Sequence, residues 1–424
     1  LLTLGSSNKA KAKYSQDVFQ KTKIKTGGYF LNSDLLLFYM LWPIIISPKE
    51  LQFVLLSLIA LLLLRRHKLY FDTLSYFLYS YIMLYAFSIF FNVLTRSSHY
   101  IRILAAFNSL SIWILAFVLY LMYKKVGIDM KKLKKIGFIN YLLLIILWGL
   151  SMAVHSITNI TEMNLINRTL YYNETFNHQI VTRFVGLMDY PNLIVMFCIF
   201  FYPLFFMYIR NFKSKIMQAT LLFTGVLPII SSYSRSGYLI IGTAIGLGAI
   251  YFFYNTINKN VFFFLSFLSF SILITILFIT DFHNLIVLQI EELSTAREGS
   301  NDSREVIVAE SIGITLRDSP IIGMGVKDNS SSGYPLGSHS TFIGFFYKTG
   351  TVGLFLGICM FIFINLKIIL LKNNLDRKII SIFIFLMPLV FIVEDVDGAN
   401  WLICLYFVFV ALLLNNNNWE KEKQ

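Results

Sequence analysis

The chain contains six histidines, and His339 has the setting most suited to chemistry. It follows a polar, glycine-rich run, Gly323 to Ser338, and a long apolar segment begins directly after it. An imidazole at such a boundary titrates near neutrality and suits general-base work. Two arginines, Arg183 and Arg235, sit just before or at the ends of apolar runs, and a third, Arg304, stands in the long hydrophilic stretch 281–338. A bare cation at the end of an apolar run is costly, and a planar guanidinium is shaped to grip phosphate oxygens in pairs. For a single arginine the ordinary alternative is snorkelling or an ion pair, and Asp189 or Glu394 would serve Arg183. His67, His99, His155, His178 and His283 lack the setting of His339 and read as ordinary interfacial or loop residues. Ser234 and Ser236 offer hydroxyls, but no histidine adjoins them to raise a nucleophile. Glu394, Asp395 and Asp397 crowd one short loop. Paired glycosidase carboxylates are one reading; solvated or salt-bridged acids are the stronger one. No Cys/His spacing suits a metal, so no metal and no cofactor is expected. Cys198, Cys359 and Cys404 all lie in apolar runs, which excludes a disulfide framework.

These residues must be held by elements that cross a membrane. Hydrophobic residues make up 57% of the chain, with 41 Phe and 24 Tyr, and mean hydropathy is +0.67. Runs of about 18 or more apolar residues recur, which a soluble core does not need. The net charge of +13 would suggest nucleic acid in a soluble protein. Here the basic residues cluster in short loops between apolar runs, the positive-inside pattern, so no nucleic acid is expected. Spans are expected near 35–46, 51–64, 71–94, 100–123, 136–154, 192–209, 216–230, 237–254, 261–280, 338–364, 379–393 and 401–414. The loop 124–135, with six Lys, marks the cytoplasmic side.

The expected fold is an all-α polytopic membrane protein of about twelve transmembrane helices. An extracytoplasmic, partly helical loop, 281–338, joins spans nine and ten. Within it Asp302 is placed as a helix cap with Glu305 reaching back. Val306, Ile307, Ile312, Ile314 and Leu316 give that helix an apolar face, and Ser319-Pro320 ends it. The stretch 155–183 caps one membrane face. Residues 1–33 form a basic cytoplasmic tail, 34–414 a single transmembrane domain, and 415–424 a cytoplasmic C-terminal tail. The first dozen residues are expected to include a remnant of expression. Arg183, Arg235, Arg304 and His339 all map to the extracytoplasmic side.

The motifs fall in a familiar order. Arg-Phe-Val-Gly at 183–186 stands near Asp-Tyr-Pro-Asn at 189–192, and Ser-Arg-Ser-Gly at 234–237 opens a span. Arg304 begins an amphipathic helix, and Pro-Ile-Ile-Gly-Met-Gly follows at 320–325. His339 then stands at a span start ahead of Lys-Thr-Gly-Thr-Val-Gly at 348–353. Over roughly residues 180–355 this resembles the O-antigen ligase and Wzy-type polysaccharide polymerase superfamily. The family often has Asn after the histidine; Ser340 stands there. The resemblance implies a metal-independent, inverting membrane glycosyltransferase of GT-C type in a bacterial cytoplasmic membrane. Its donor and acceptor are glycans on undecaprenyl diphosphate, and a flippase and a chain-length regulator are implied partners. It makes His339 the catalytic base, Arg183 and Arg235 the donor-diphosphate ligands, and Arg304 a further phosphate or sugar contact. Polymerase and ligase share that chemistry and differ in acceptor. A lipid-linked sugar transporter or flippase is the alternative of another class, although the inner halves of the spans offer no Arg or Lys cluster. An envelope-assembly scaffold would need no convergence of the charged motifs.

Overall fold

The computed structural model describes residues 33–96, 99–176, 179–234, 236–238, 241–243, 246, 268, 298–371 and 374–420. The chain divides into two units, Leu1–Ser33 and Asp34–Gln424; everything below concerns the second. The expected spans at 237–254 and 261–280 lie almost wholly outside the described residues.

The described part is mostly helical. A broken entry pair, α1 (Leu36–Tyr39) and α2 (Leu41–Ile46), leads over Pro48 into α3 (Lys49–Leu64). Then come α4 (Thr73–Thr95), α5 (Tyr100–Tyr123) and α6 (Met130–Thr158). After a small sheet follow α7 (Asn192–Ile209) and α8 (Lys215–Ile230). The last helices relevant here are α9 (Glu298–Asp318), α10 (Thr341–Ile369), α11 (Leu375–Val393) and α12 (Asn400–Leu414). Among the described residues, α4, α5, α6, α7 and α10 are long and apolar enough to cross a membrane. This is a multi-pass membrane protein. α7 and α12 are buried almost all round, as central helices must be, and the others show apolar side chains on their outward faces.

Side chains fix where helices begin. Asp72 and Ser75 form a reciprocal capping box on α4. Asp129, Ser214 and Asn374 cap α6, α8 and α11 by accepting from backbone N–H groups of the first turn. α9 runs from Glu298, so Asp302 lies inside the helix rather than at the cap position expected for it. The expected apolar face is buried only in part: Ile307 is buried and Ile312 and Ile314 are half-buried, but Val306 and Leu316 are exposed, and Ser311 and Thr315 are buried beside Ile307. The helix packs on a polar loop, and Ser311 is buried because its Oγ accepts from the Gly337 N–H at 2.7 Å.

The polar stretch after α6 adds β-structure to the all-α expectation. Strands β1 (Glu162–Leu165), β2 (Arg168–Phe176) and β3 (Gln179–Phe184) make an antiparallel sheet in that order. Ile166 and Asn167, both with positive φ, turn β1 into β2, as a tight two-residue hairpin requires. The sheet docks on the end of α8 through Phe184 N–H to Ser231 O, 2.8 Å, and on α2 through Arg168 Nε to Ile46 O, 3.1 Å.

α10 is interrupted at Gly350, whose φ of 64° and ψ of −163° are not helical. The loop 319–325 fills the break. Met324 N–H donates to Tyr347 O at 2.7 Å and Gly325 N–H to Lys348 O at 3.0 Å. In return Thr351 N–H donates to Pro320 O at 2.8 Å and Val352 N–H to Ile321 O at 3.3 Å. Two helix bonds are thus exchanged for four bonds to the loop, which pair the carbonyls of Tyr347 and Lys348 and the N–H groups of Thr351 and Val352. Gly323 makes the approach possible, since a Cβ there would lie 2.4 Å from Gly350 N.

Candidate active site

His339 is the second residue before α10, and its φ is 64°. A non-glycine residue in that region is uncommon and persists only where its surroundings over-determine it. Those surroundings are explicit. Ser340 caps α10, its Oγ accepting from Ile343 N–H at 3.4 Å. On the other side Gly337 N–H is held by Ser311 Oγ. Ser and Asn are equivalent N-caps, so the residue that departs from the family pattern still performs a local job either type can do. The ring is half-buried. Burial, then the charges of Arg304 and Lys327, hold its pKa below the ordinary histidine range, with Asp395 opposing. At neutral pH the imidazole is therefore uncharged and able to accept a proton.

The three acids expected to be solvated or salt-bridged are mostly buried and paired. Thr341 sews them to the start of α10: its N–H and Oγ1 both donate to Glu394 O, at 3.1 and 2.8 Å, and its Oγ1 accepts from Val396 N–H at 2.9 Å. Asp395 pairs with Lys327 at 2.7 Å. Asp397 pairs with Lys348 and accepts from Ser109 Oγ and Trp113 Nε1, each at 2.9 Å. Burial opposes its charge, but Lys348 and Lys327 overcome this and hold the carboxyl below its usual range. Among the described residues Glu394 has no such contact cation. Burial pushes its pKa up to about 7, with Arg304 and a hydrogen bond from Asn192 working the other way.

Arg183 is 6% exposed, and its partners are not those expected from the sequence. Asp189 pairs with Arg168 instead. Arg183 lies across from Tyr172 in the β2–β3 register, with Glu174 on the same face two residues on. Its Nη1 donates to Tyr172 Oη and Glu174 Oε2, each at 3.0 Å, its Nε to Ser232 O at 2.8 Å, and its Nη2 to Asn192 Oδ1 at 3.2 Å. Asn192 Nδ2 in turn donates to Glu394 Oε1. A chain of contacts therefore runs Arg183, Asn192, Glu394, Thr341, ending two residues from His339. Arg304, from α9, acts electrostatically on His339, Glu394 and Tyr190. Burial and then Glu394 drive the Tyr190 hydroxyl above its usual range. Arg235 lies outside the described residues. Ser234 and Ser236 are buried and bonded to each other at 2.8 Å.

Lys327, Lys348, Glu174 and Asn192 were not among the sequence candidates. Lys348 carried a signal, as a lone cation early in an apolar span, where an ionisable residue implies a partner. Glu174 carried none, because only the sheet register brings it to Arg183.

The arrangement defines a membrane-embedded helical protein with an acid–base cluster where its helices meet a capping sheet. Residues 219–358 match the family model described as O-antigen ligase. This segment, about a third of the chain, supports the likeness to the O-antigen ligase and Wzy-type polysaccharide polymerase superfamily, and the match points to a membrane enzyme. Arg304 and His339 fall inside the matched segment; Arg183 and Glu394 lie outside it. No curated protein matches the chain at a significant level.

Proposed function

We propose that the protein is a glycosyltransferase that polymerises undecaprenyl-diphosphate-linked repeat units into a capsular, exopolysaccharide or O-antigen chain. The observation that carries this reading is His339. Its uncharged ring sits in the fields of Arg304, Lys327 and Asp395, in a backbone conformation the neighbouring elements enforce. The ring removes the proton from an acceptor hydroxyl, and the freed oxygen attacks the anomeric carbon of the donor sugar. The bond from that carbon to the diphosphate oxygen breaks, and the leaving group keeps the electron pair. Attack opposite the leaving group inverts the anomeric centre. Undecaprenyl diphosphate departs as an anion, so cations do the work an acid would otherwise do. Arg235 and Arg304 are assigned to that diphosphate, as is Arg183. Four of the five Arg183 N–H groups are already engaged, so it adds charge and one donor. No metal or cofactor has a role. An apolar cavity of about 360 Å³ between α7, α8 and α11, reaching Gly237 beside the Ser234–Gly237 motif, suits the carrier's prenyl chain.

The reading includes a GT-C-type body of about twelve spans in a bacterial cytoplasmic membrane. Residues 1–33 and 415–424 are cytoplasmic tails, and the site faces outward, with 281–338 as the outer loop. The lysine-rich helix ends, Lys124 to Lys135, Lys213 and Lys215, and Arg377 and Lys378, support that orientation. A flippase that delivers the substrate and a chain-length regulator are the expected partners.

The test is a transfer assay with purified protein in lipid nanodiscs and a diphosphate-linked repeat unit. A ladder of products supports a polymerase. Transfer only to a foreign acceptor makes it a ligase of the same superfamily, and no transfer to any acceptor overturns the enzyme reading.

A further inference from the structure

A small hairpin stands directly before His339. Asn329 and Pro335 form an antiparallel bridge. Ser330 N–H donates to Tyr334 O at 2.7 Å, Gly333 N–H to Ser330 O at 2.9 Å, and Leu336 N–H to Asp328 O at 2.8 Å. Its tip is bolted to α9, because Ser331 N–H and Oγ both donate to the Glu310 carboxylate, at 3.0 and 2.5 Å. Those two bonds hold the Glu310 carboxyl below its usual range. Its base is fixed by Ser338 Oγ to Pro335 O, 2.6 Å, and by Gly337 N–H to Ser311 Oγ.

This bracing presents one large side chain. Tyr334 is 54% exposed, and its ring stands edge-to-face with His339, centroids 6.3 Å apart and planes at 69°. Tyr76, Tyr79 and Tyr100 are comparably exposed but belong to the apolar helices α4 and α5, whereas Tyr334 stands on a polar hairpin. Asn329 and Ser330 to Ser332 precede it in that hairpin, with Ser330 Oγ and Ser332 Oγ bonded to each other at 2.8 Å.

We propose that Tyr334 and the 328–336 hairpin form a sugar-binding subsite, with the Tyr334 ring stacking on the apolar face of a pyranose. The ring touches the base, so the sugar it holds is the acceptor, delivered with its hydroxyl toward His339. Tyr334 is then a specificity-determining residue, and the serine-rich tip reads the neighbouring sugar. Only the acceptor assignment rests on the glycosyltransferase reading; the subsite itself is a claim about binding.

Two measurements separate the claims. The first is saturation-transfer NMR with a free oligosaccharide repeat unit cut from the producing cell's own polysaccharide. Wild type and Tyr334→Phe should both bind, while Tyr334→Ala loses at least about tenfold in affinity, the value of one modest aromatic contact. Equal binding by wild type and Tyr334→Ala, or no binding by wild type, overturns the subsite. The second is the transfer assay with acceptor varied. Tyr334→Ala should raise the acceptor KM and leave kcat and the acid side of the pH profile in place. A fall in kcat with KM unchanged would mean that Tyr334 only props the His339 ring, and that overturns the subsite as well. Tyr334 is exposed, so loss of folding is not expected, and Tyr334→Leu controls for bulk without a π-face.

Discussion

The two ends of the helix bundle both carry buried charge but use it differently. At the lysine-rich end the cations finish helices. Arg377 donates through Nε and Nη2 to Leu413 O, at the last turn of α12, where a helix presents open carbonyls and partial negative charge. Lys134 and Arg210 meet on Asp376, in the first turn of α11. Lys124 pairs at 2.9 Å with Asp72, the cap of α4. At the other end the pairs hold irregular chain: Lys327 with Asp395, Lys348 with Asp397, Arg183 with Glu174. Cations thus complete regular structure at one end and maintain a strained, non-repeating site at the other. Charge is better placed for topology in the first case and for chemistry in the second.

The contrast can be broken most sharply at His339. His339→Gly should cost about two to four orders of magnitude in transfer rate without lowering the melting temperature, because glycine relaxes the positive φ. Rate and melt measured on one preparation decide it, and a parallel loss of stability would make His339 structural. Next comes the ion pair beneath the site. Lys348→Met strands Asp397 and should cost about 3–5 kcal/mol, read by denaturation in micelles. Adding Asp397→Asn should return part of it. If the double variant is no better than the single, the pair does not act as a unit.

Effects on pH are smaller and have opposite senses. The His339 pKa is lowered, so transfer should fail only as pH drops below the ordinary histidine range. Arg304→Gln removes a cation that depresses it, and the acid side of the rate profile should move up. Burial pushes the Glu394 carboxyl up to about 7 in the fold, from 4.5 for an exposed side chain. An acid with a raised pKa stabilises the fold fully below its unfolded value, and that contribution is lost as pH climbs through the folded one. Melting temperature should therefore fall between about pH 4.5 and about pH 7, and Glu394→Gln should flatten that slope. Smallest of all, Lys131→Gln at the lysine-rich end should change stability by no more than about 0.5 kcal/mol and leave transfer untouched. A large loss there would dissolve the distinction between the ends.

Membrane helices were legible because burial in lipid demands long apolar runs, and α4, α5 and α10 fall close to where composition puts them. Less was legible where pairing is non-local. Asp189 is six residues from Arg183 and looked a natural partner, yet strand register offers Glu174 at the right distance and gives Asp189 to Arg168. The buried line of α9 was legible at Ile307 and missed elsewhere for a similar reason. Hydrophobicity selects Val306 and Leu316, whereas the helix turns Ser311 inward to satisfy one backbone N–H of the loop carrying His339. Glu394 looked like one acid among three; only its burial, and its lack among the described residues of the lysine contact its neighbours have, sets it apart.

The break at Gly350 bears on mechanics. An unbroken helix passes a push from one end to the other through its bond ladder. In α10 the ladder is cut between Tyr347 and Val352 and re-tied to loop 319–325. The short segment that starts beside His339 is therefore carried by the loop and its neighbours. The acid–base cluster is thus coupled to the longer segment through the hydrogen bonds of the loop rather than through a continuous helix ladder.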